Sequence, residues 1–100
     1  MNSNEPFRVS ISGATREKIR LLYELATQDE RGELFLNSLR AIEQHLRTDP
    51  IAFGEDIYNL RQHRITVKIA IRLPIAVEFG VHVERRLALV RSFHYLPFAG

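Results

Sequence analysis

The run Ile65-Thr66-Val67-Lys68-Ile69-Ala70-Ile71-Arg72-Leu73-Pro74-Ile75-Ala76-Val77-Glu78-Phe79-Gly80-Val81-His82-Val83 decides the fold class. In its first half, Ile65, Val67, Ile69 and Ile71 alternate with Thr66, Lys68, Ala70 and Arg72. In its second half, Val77, Phe79, Val81 and Val83 alternate with Ala76, Glu78, Gly80 and His82. A period of two is the pattern of a strand with one face buried. The joint at Leu73-Pro74 is too short for a crossover helix, so the two strands are antiparallel neighbours. After a short connection at Glu84-Arg85, Leu87, Leu89 and Phe93 continue the alternation in a third run. The reading places the isoleucine set of the first strand against the core, with Lys68 and Arg72 on the outward face.

Upstream, the period changes. Phe7 to Ser12 alternates as a short strand, and Gly13 breaks it. From Ala14 to Gln28, Ile19, Leu22, Tyr23 and Ala26 recur at helical spacing, and from Glu33 to Arg47 so do Phe35, Leu39, Ile42 and Leu46. The connection Asp29-Glu30-Arg31-Gly32 is short enough to force an antiparallel helical hairpin. Pro50 stops the second helix, because it lacks an N–H and clashes with the preceding turn. The segment Phe53-Gly54-Glu55-Asp56 reads as a loop. The expectation is an α+β fold of order β-α-α-β-β-β, a small antiparallel sheet packed on one face by a helical hairpin. Residues 1–100 form a single domain, with 1–6 flexible.

Composition agrees with one ordinary globular domain: 45% of the 100 residues are hydrophobic and 26% charged. The formal charge is only +2, but its distribution is uneven. From Leu60 onward, Arg61, Arg64, Lys68, Arg72, Arg85, Arg86 and Arg91 face only Glu78 and Glu84. A basic half of this kind meets a polyanion or an acidic protein segment, or else forms a solvated sheet face. Without cysteine, neither a disulfide nor a thiolate metal site is available. The histidines have no ligand spacing, so no metal is expected. No apolar run nears the roughly 20 residues needed to span a bilayer, and the first residues lack a signal segment. A cytoplasmic protein without membrane contact or small-molecule cofactor is expected.

The last strand ends in Arg91-Ser92-Phe93-His94-Tyr95-Leu96-Pro97, which puts a cation, an imidazole and a phenol within five residues. Metal-free RNA cleavage uses such groups. Strict alternation gives Arg91 the parity of Leu89 and Phe93 and would turn it into the core. A buried unpaired guanidinium is costly, so either a bulge redirects it or the strand end projects into water. His94 near a strand end is equally well read as a surface residue, and Tyr95 as a packing residue against the helices.

The chain resembles the RelE/ParE-like toxins of bacterial type II toxin–antitoxin systems. The resemblance rests on the element order and on the Leu46-x-x-Asp49-Pro50 end of the second helix. It continues through Phe53-Gly54-Glu55 leading to Leu60-Arg61, the strand Leu73-Pro74-Ile75-Ala76-Val77-Glu78-Phe79, and the closing Val90-Arg91-Ser92-Phe93-His94-Tyr95. It implies an mRNA endoribonuclease acting on the ribosome, with a cognate antitoxin protein as partner. The alternatives are a ParE-like, non-catalytic inhibitor of DNA gyrase, or a degenerate member kept as an interaction module.

Under the ribonuclease expectation the resemblance gives His94 the acid or base role, and Arg91 the scissile phosphate. Tyr95 stacks on a base or orients a phosphate oxygen. Lys68 matches the lysine such proteins commonly carry on the second sheet strand. Arg61, Arg64 and Arg72 are expected on the RNA backbone, and Glu55 or Asp56 falls in the loop that supplies a carboxylate in one subgroup. The chain departs from the pattern at Pro74-Ile75, where active ribonucleases usually carry an arginine, with Arg72 the nearest substitute.

Overall fold

The computed structural model of the protein describes residues 5–97. Its two helices fall where the 3.6-residue period puts them: α1 spans Gly13–Gln28 and α2 spans Gly32–Thr48. Ser12 caps α1, its Oγ accepting from the Thr15 N–H at 3.1 Å. Helix α2 ends just before Asp49-Pro50, and buries Phe35, Ser38, Ile42 and Leu46 along one stripe. Ser38 Oγ donates to the Leu73 carbonyl at 2.6 Å, fastening α2 to the sheet.

Among the described residues the strands are β1 (Arg8–Ser10), β2 (Glu55–Leu60), β3 (Ile65–Arg72), β4 (Ile75–His82) and β5 (Leu87–Tyr95), with a 3-10 turn at Arg61–His63. They form one sheet in the order β1-β5-β4-β3-β2. Two expectations change here. Glu55 and Asp56, expected in a loop, instead open a strand that runs to Leu60, which adds an element to the expected order. The sheet is also mixed, because β1 runs parallel to β5 while every other pair is antiparallel. The helical hairpin hands the chain to the far edge, and the four-stranded meander that follows returns to β1 only with its last strand. Of the expected flexible segment, residues 1–4 lie outside the described residues. Glu5 and Pro6 are exposed, and the Glu5 carbonyl accepts from Arg86 Nη2.

Facing residues on adjacent antiparallel strands share a face, so the register fixes which side each group occupies. Ile75, Val77, Phe79 and Val81 of β4 form the core with Phe35, Ile42 and Leu46 of α2. Their partners on β3 are Arg72, Ala70, Lys68 and Thr66. The alternation of β3 is therefore real, but its faces are the reverse of those expected. Ile65, Val67, Ile69 and Ile71 point away from the helices, and Ile69 and Ile71 are 38% and 59% exposed. The hairpin covers the middle of the sheet, while β3 lies under the loop before β2. There Gly54, at φ 77°, passes so close that a Cβ would meet the Ile69 carbonyl oxygen at 2.4 Å. Small Ala70 suits that contact, and Phe53 from the same loop stacks on Phe79.

Strand β5 also departs from simple alternation. Ala88 and Val90 face the core, and so does Phe93, because the register with β4 slips between Glu78 and Phe79. Arg91 is the extra residue of this bulge, so the bulge is what spares it from burial.

Candidate functional site

The face of the sheet not covered by helices carries Tyr58, Ile69, Ile71, Glu78, Arg91 and His94. Tyr58 is placed there by a bulge at Ile57 that brings it opposite Val67. Arg91 Nη1 donates to Tyr58 Oη at 2.8 Å, and its Nε lies 3.6 Å from Glu78 Oε2. The bond joins β5 to β2 across two intervening strands, a span of roughly 14 Å at about 4.8 Å per strand spacing. It passes along the row Tyr58, Val67, Gly80 and Leu89. This arch explains why Val67 is fully buried on a face that no helix covers. Gly80 leaves the row low, and a Cβ there would meet Ile65 Cγ2 at 2.8 Å.

His94 lies opposite Ala76, which in turn lies opposite Ile71, so the imidazole shares this open face with Arg91. It is exposed, two residue pairs beyond the Glu78–Ser92 pair and next to it on this face. Glu55 stands opposite Ile69 and shares the face too. At its far end a cleft of about 410 Å³ is floored by Ile65, Leu87 and Leu89 and rimmed by His63, His82 and Arg85.

The other expected site residues lie elsewhere. Lys68 occupies the helix side, opposite Phe79, buried, with Nζ donating to Asp56 Oδ1 at 2.7 Å. Its expected outward orientation is overturned by the reversed faces of β3, and Asp56 goes with it. Tyr95 also points to the helix side. Its ring meets Phe35 edge-on, and its hydroxyl donates to Asp29 Oδ2 at 2.7 Å. Burial, and then the Asp29 carboxylate that accepts its proton in a hydrogen bond, raise the Tyr95 phenol above its ordinary value. Arg72 stands opposite Ile75 on the helix side, its Nη1 3.5 Å from His45 Nε2. Arg61 is exposed on the 3-10 turn. Arg64, left-handed at φ 56°, donates from Nη1 to both Glu84 carboxylate oxygens, at 2.7 and 2.9 Å, and lowers that carboxyl from its ordinary value.

The structure therefore brings Arg91 and His94 onto one face and separates them from Tyr95 and Lys68. The phenol beside Arg91 is Tyr58, which has no role in the sequence expectation, because the loop expected at Phe53-Gly54-Glu55-Asp56 takes the start of its strand and Ile57–Leu60 is given no element. Among the described residues, no group of three or more metal-ligating side chains forms, and no helix is long and apolar enough to cross a membrane.

Comparison with protein-family models, with curated proteins and with solved structures finds no match to this chain.

Proposed function

We propose that this chain is a RelE/ParE-like toxin that acts by binding, in the ParE-like manner, with its open sheet face as the docking surface. The observation that carries this reading is the dispersal of the ribonuclease set. Cleavage by general acid–base catalysis needs its groups within hydrogen-bond reach of one phosphate. Lys68 and Tyr95 instead stand on the helix side, each bonded to a carboxylate. What the open face offers is apolar area: Ile69, Ile71 and Tyr58 are each more than a third exposed, beside a guanidinium already shared between Tyr58 and Glu78. A surface with an aromatic, an arginine and exposed aliphatics has the composition of a protein-binding hot spot. On this reading the target is a protein such as DNA gyrase, and a cognate antitoxin covers the same face in a bacterial cytoplasm.

One arrangement favours the second reading, a ribonuclease. Arg91, Tyr58 and His94 supply a cation, a phenol and an imidazole on one face, with Tyr58 in the role expected of Tyr95. Arg91 would hold the phosphate and His94 would move the proton.

Induced expression in a bacterial host separates the two. The binding reading expects growth arrest with full-length messages, relieved by Ile71→Asp and retained by His94→Ala. Truncated messages on primer extension, restored to full length by His94→Ala, overturn it in favour of cleavage.

A further inference from the structure

The cleft of about 410 Å³ lies at the end of the open face away from His94. On β4, His82 and Ala76, the partner of His94, are six residues apart, roughly 20 Å at about 3.4 Å per residue, so the two histidines serve separate places. Three elements meet at the cleft. His82 closes β4 opposite Leu87, Arg85 stands in the turn from β4 to β5, and His63 ends the 3-10 turn whose left-handed Arg64 leads the chain into β3. The floor is aliphatic, from Ile65, Leu87 and Leu89, all half-buried.

The charges above that floor select the occupant. Among the described residues, no carboxylate lines the cleft. Glu84 stands close enough to His82 to feel its charge, but Arg64 Nη1 engages both of its oxygens. The Arg85 backbone N–H donates to His82 Nδ1 at 3.2 Å. A ring nitrogen that accepts carries no proton, so the neutral His82 imidazole bears its proton on Nε2 and keeps a donor to offer. The Arg85 guanidinium and the His63 ring have no hydrogen-bond or ion-pair partner among the described residues. Gln62 adds an amide, which both donates and accepts. Donors and positive charge over an apolar floor fit an anion carried on an apolar body. A phosphate monoester brings three strong acceptor oxygens and roughly two negative charges near neutral pH, more than a carboxylate offers, and a guanidinium binds it by charge-assisted contacts. The volume lies at the lower end of the range of about 300–1,000 Å³ usual for small-molecule sites. We propose that this cleft binds a nucleoside monophosphate, with the phosphate on Arg85, His82 and His63, the base on the aliphatic floor and the Gln62 amide at its edge. This inference is independent of what the rest of the open face binds.

Titration of the full chain with adenosine 5′-monophosphate (AMP) into the millimolar range, followed by NMR, tests the proposal. The chain has four histidines, which supply their own comparison. The ring C–H signals of His63 and His82 are expected to move to saturation, and those of His45 and His94 to stay. Adenosine and inorganic phosphate should each bind at least about tenfold more weakly than AMP, because each lacks one set of contacts. Arg85→Ala and His82→Ala each weaken AMP binding on the order of tenfold. His82→Gln, which keeps a neutral N–H donor, binds more tightly than His82→Ala. Arg85 is exposed, so its truncation leaves the fold intact even if His82→Ala does not, and circular dichroism verifies both. No movement with millimolar AMP, equal movement of all four histidines, adenosine binding as tightly as AMP, Arg85→Ala binding like wild type, or His82→Gln no tighter than His82→Ala would each overturn the proposal. Growth arrest does not enter this readout, so the docking function stands or falls apart from it.

Discussion

On the helix side of the sheet, Lys68 and Tyr95 each reach a carboxylate, and the space between them is filled by Phe79, Val77 and Phe93. On the open side, built from the same strands, Arg91 reaches a phenol and a partly buried carboxylate, while Ile69 and Ile71 are exposed. A face closed by packing needs its polar groups satisfied from within, because unpaired polar groups are costly there. A face left open has no such need, and exposed aliphatics on it are unexplained by the fold. The contrast teaches that packing concentrates stability on one side and leaves the other free for the proposed docking, so the two should respond to substitution separately.

The largest expected effect lies on the closed side. Phe79→Ala removes a fully buried ring that Phe53 stacks upon, and a loss of about 3–5 kcal/mol is expected in urea unfolding. Gly54→Ala comes next. Its left-handed backbone alone costs about 1–3 kcal/mol for a residue with a side chain, and the new Cβ also meets the Ile69 carbonyl.

Tyr95→Phe should lower the melting temperature by less than either. The pH dependence of that difference is informative. The phenol is raised in the folded protein, by burial and by its bond to Asp29, so the folded state holds its proton longer than the unfolded chain does. The Tyr95 contribution should therefore be intact below the ordinary phenol value near 10 and be lost as pH rises above it. Wild-type protein should lose stability in that range more steeply than Tyr95→Phe, and equal slopes would argue against the Asp29 contact.

The smallest effect on stability belongs to the open side. Ile71→Asp should change unfolding free energy by no more than about 0.5 kcal/mol, and on the proposed binding function it relieves growth arrest. A large loss of stability from this variant would break the comparison, because it would mean that the open face is part of the core.

Much of this architecture was legible in the chain. The two helices, the hairpin turn, the break at Pro50 and the three strands from Ile65 onward follow from period and punctuation. Less legible was which side each strand presents. In β3 the period of two separates Ile65, Val67, Ile69 and Ile71 from Thr66, Lys68, Ala70 and Arg72, but it says nothing about which set the helices cover. The larger apolar set proved to face out because Gly54 and Phe53 leave room only for small Ala70 beneath them. In β5 the difficulty at Arg91 was visible in advance as a parity conflict, and of the two solutions the sequence allowed, the bulge is the one adopted. Strand β2 escaped reading because Glu55-Asp56-Ile57-Tyr58 does not alternate: it is an exposed edge, bulged at Ile57. Missing β2 meant missing Tyr58, and with it the partner of Arg91. The pairing of Tyr95 with Asp29 joins residues 66 apart in the chain, and no local pattern announces it.

The parallel pairing of β1 with β5 has a consequence for how the chain must be made. Val9 lies beside Ala88, so Arg8–Ser10 wait for a partner that is synthesised after both helices and strands β2 to β4. The helical hairpin can coil as soon as it emerges, since its contacts are local. Its apolar stripe of Phe35, Ile42 and Leu46 then has no sheet to cover until β4 and β5 are synthesised. Contacts of such long separation are paid for in loop entropy before they are formed, which slows folding and leaves apolar surface open in the interval. Translation of these elements therefore passes through a stage in which the helical hairpin is formed and its apolar stripe uncovered, and vulnerability to aggregation or proteolysis is concentrated there.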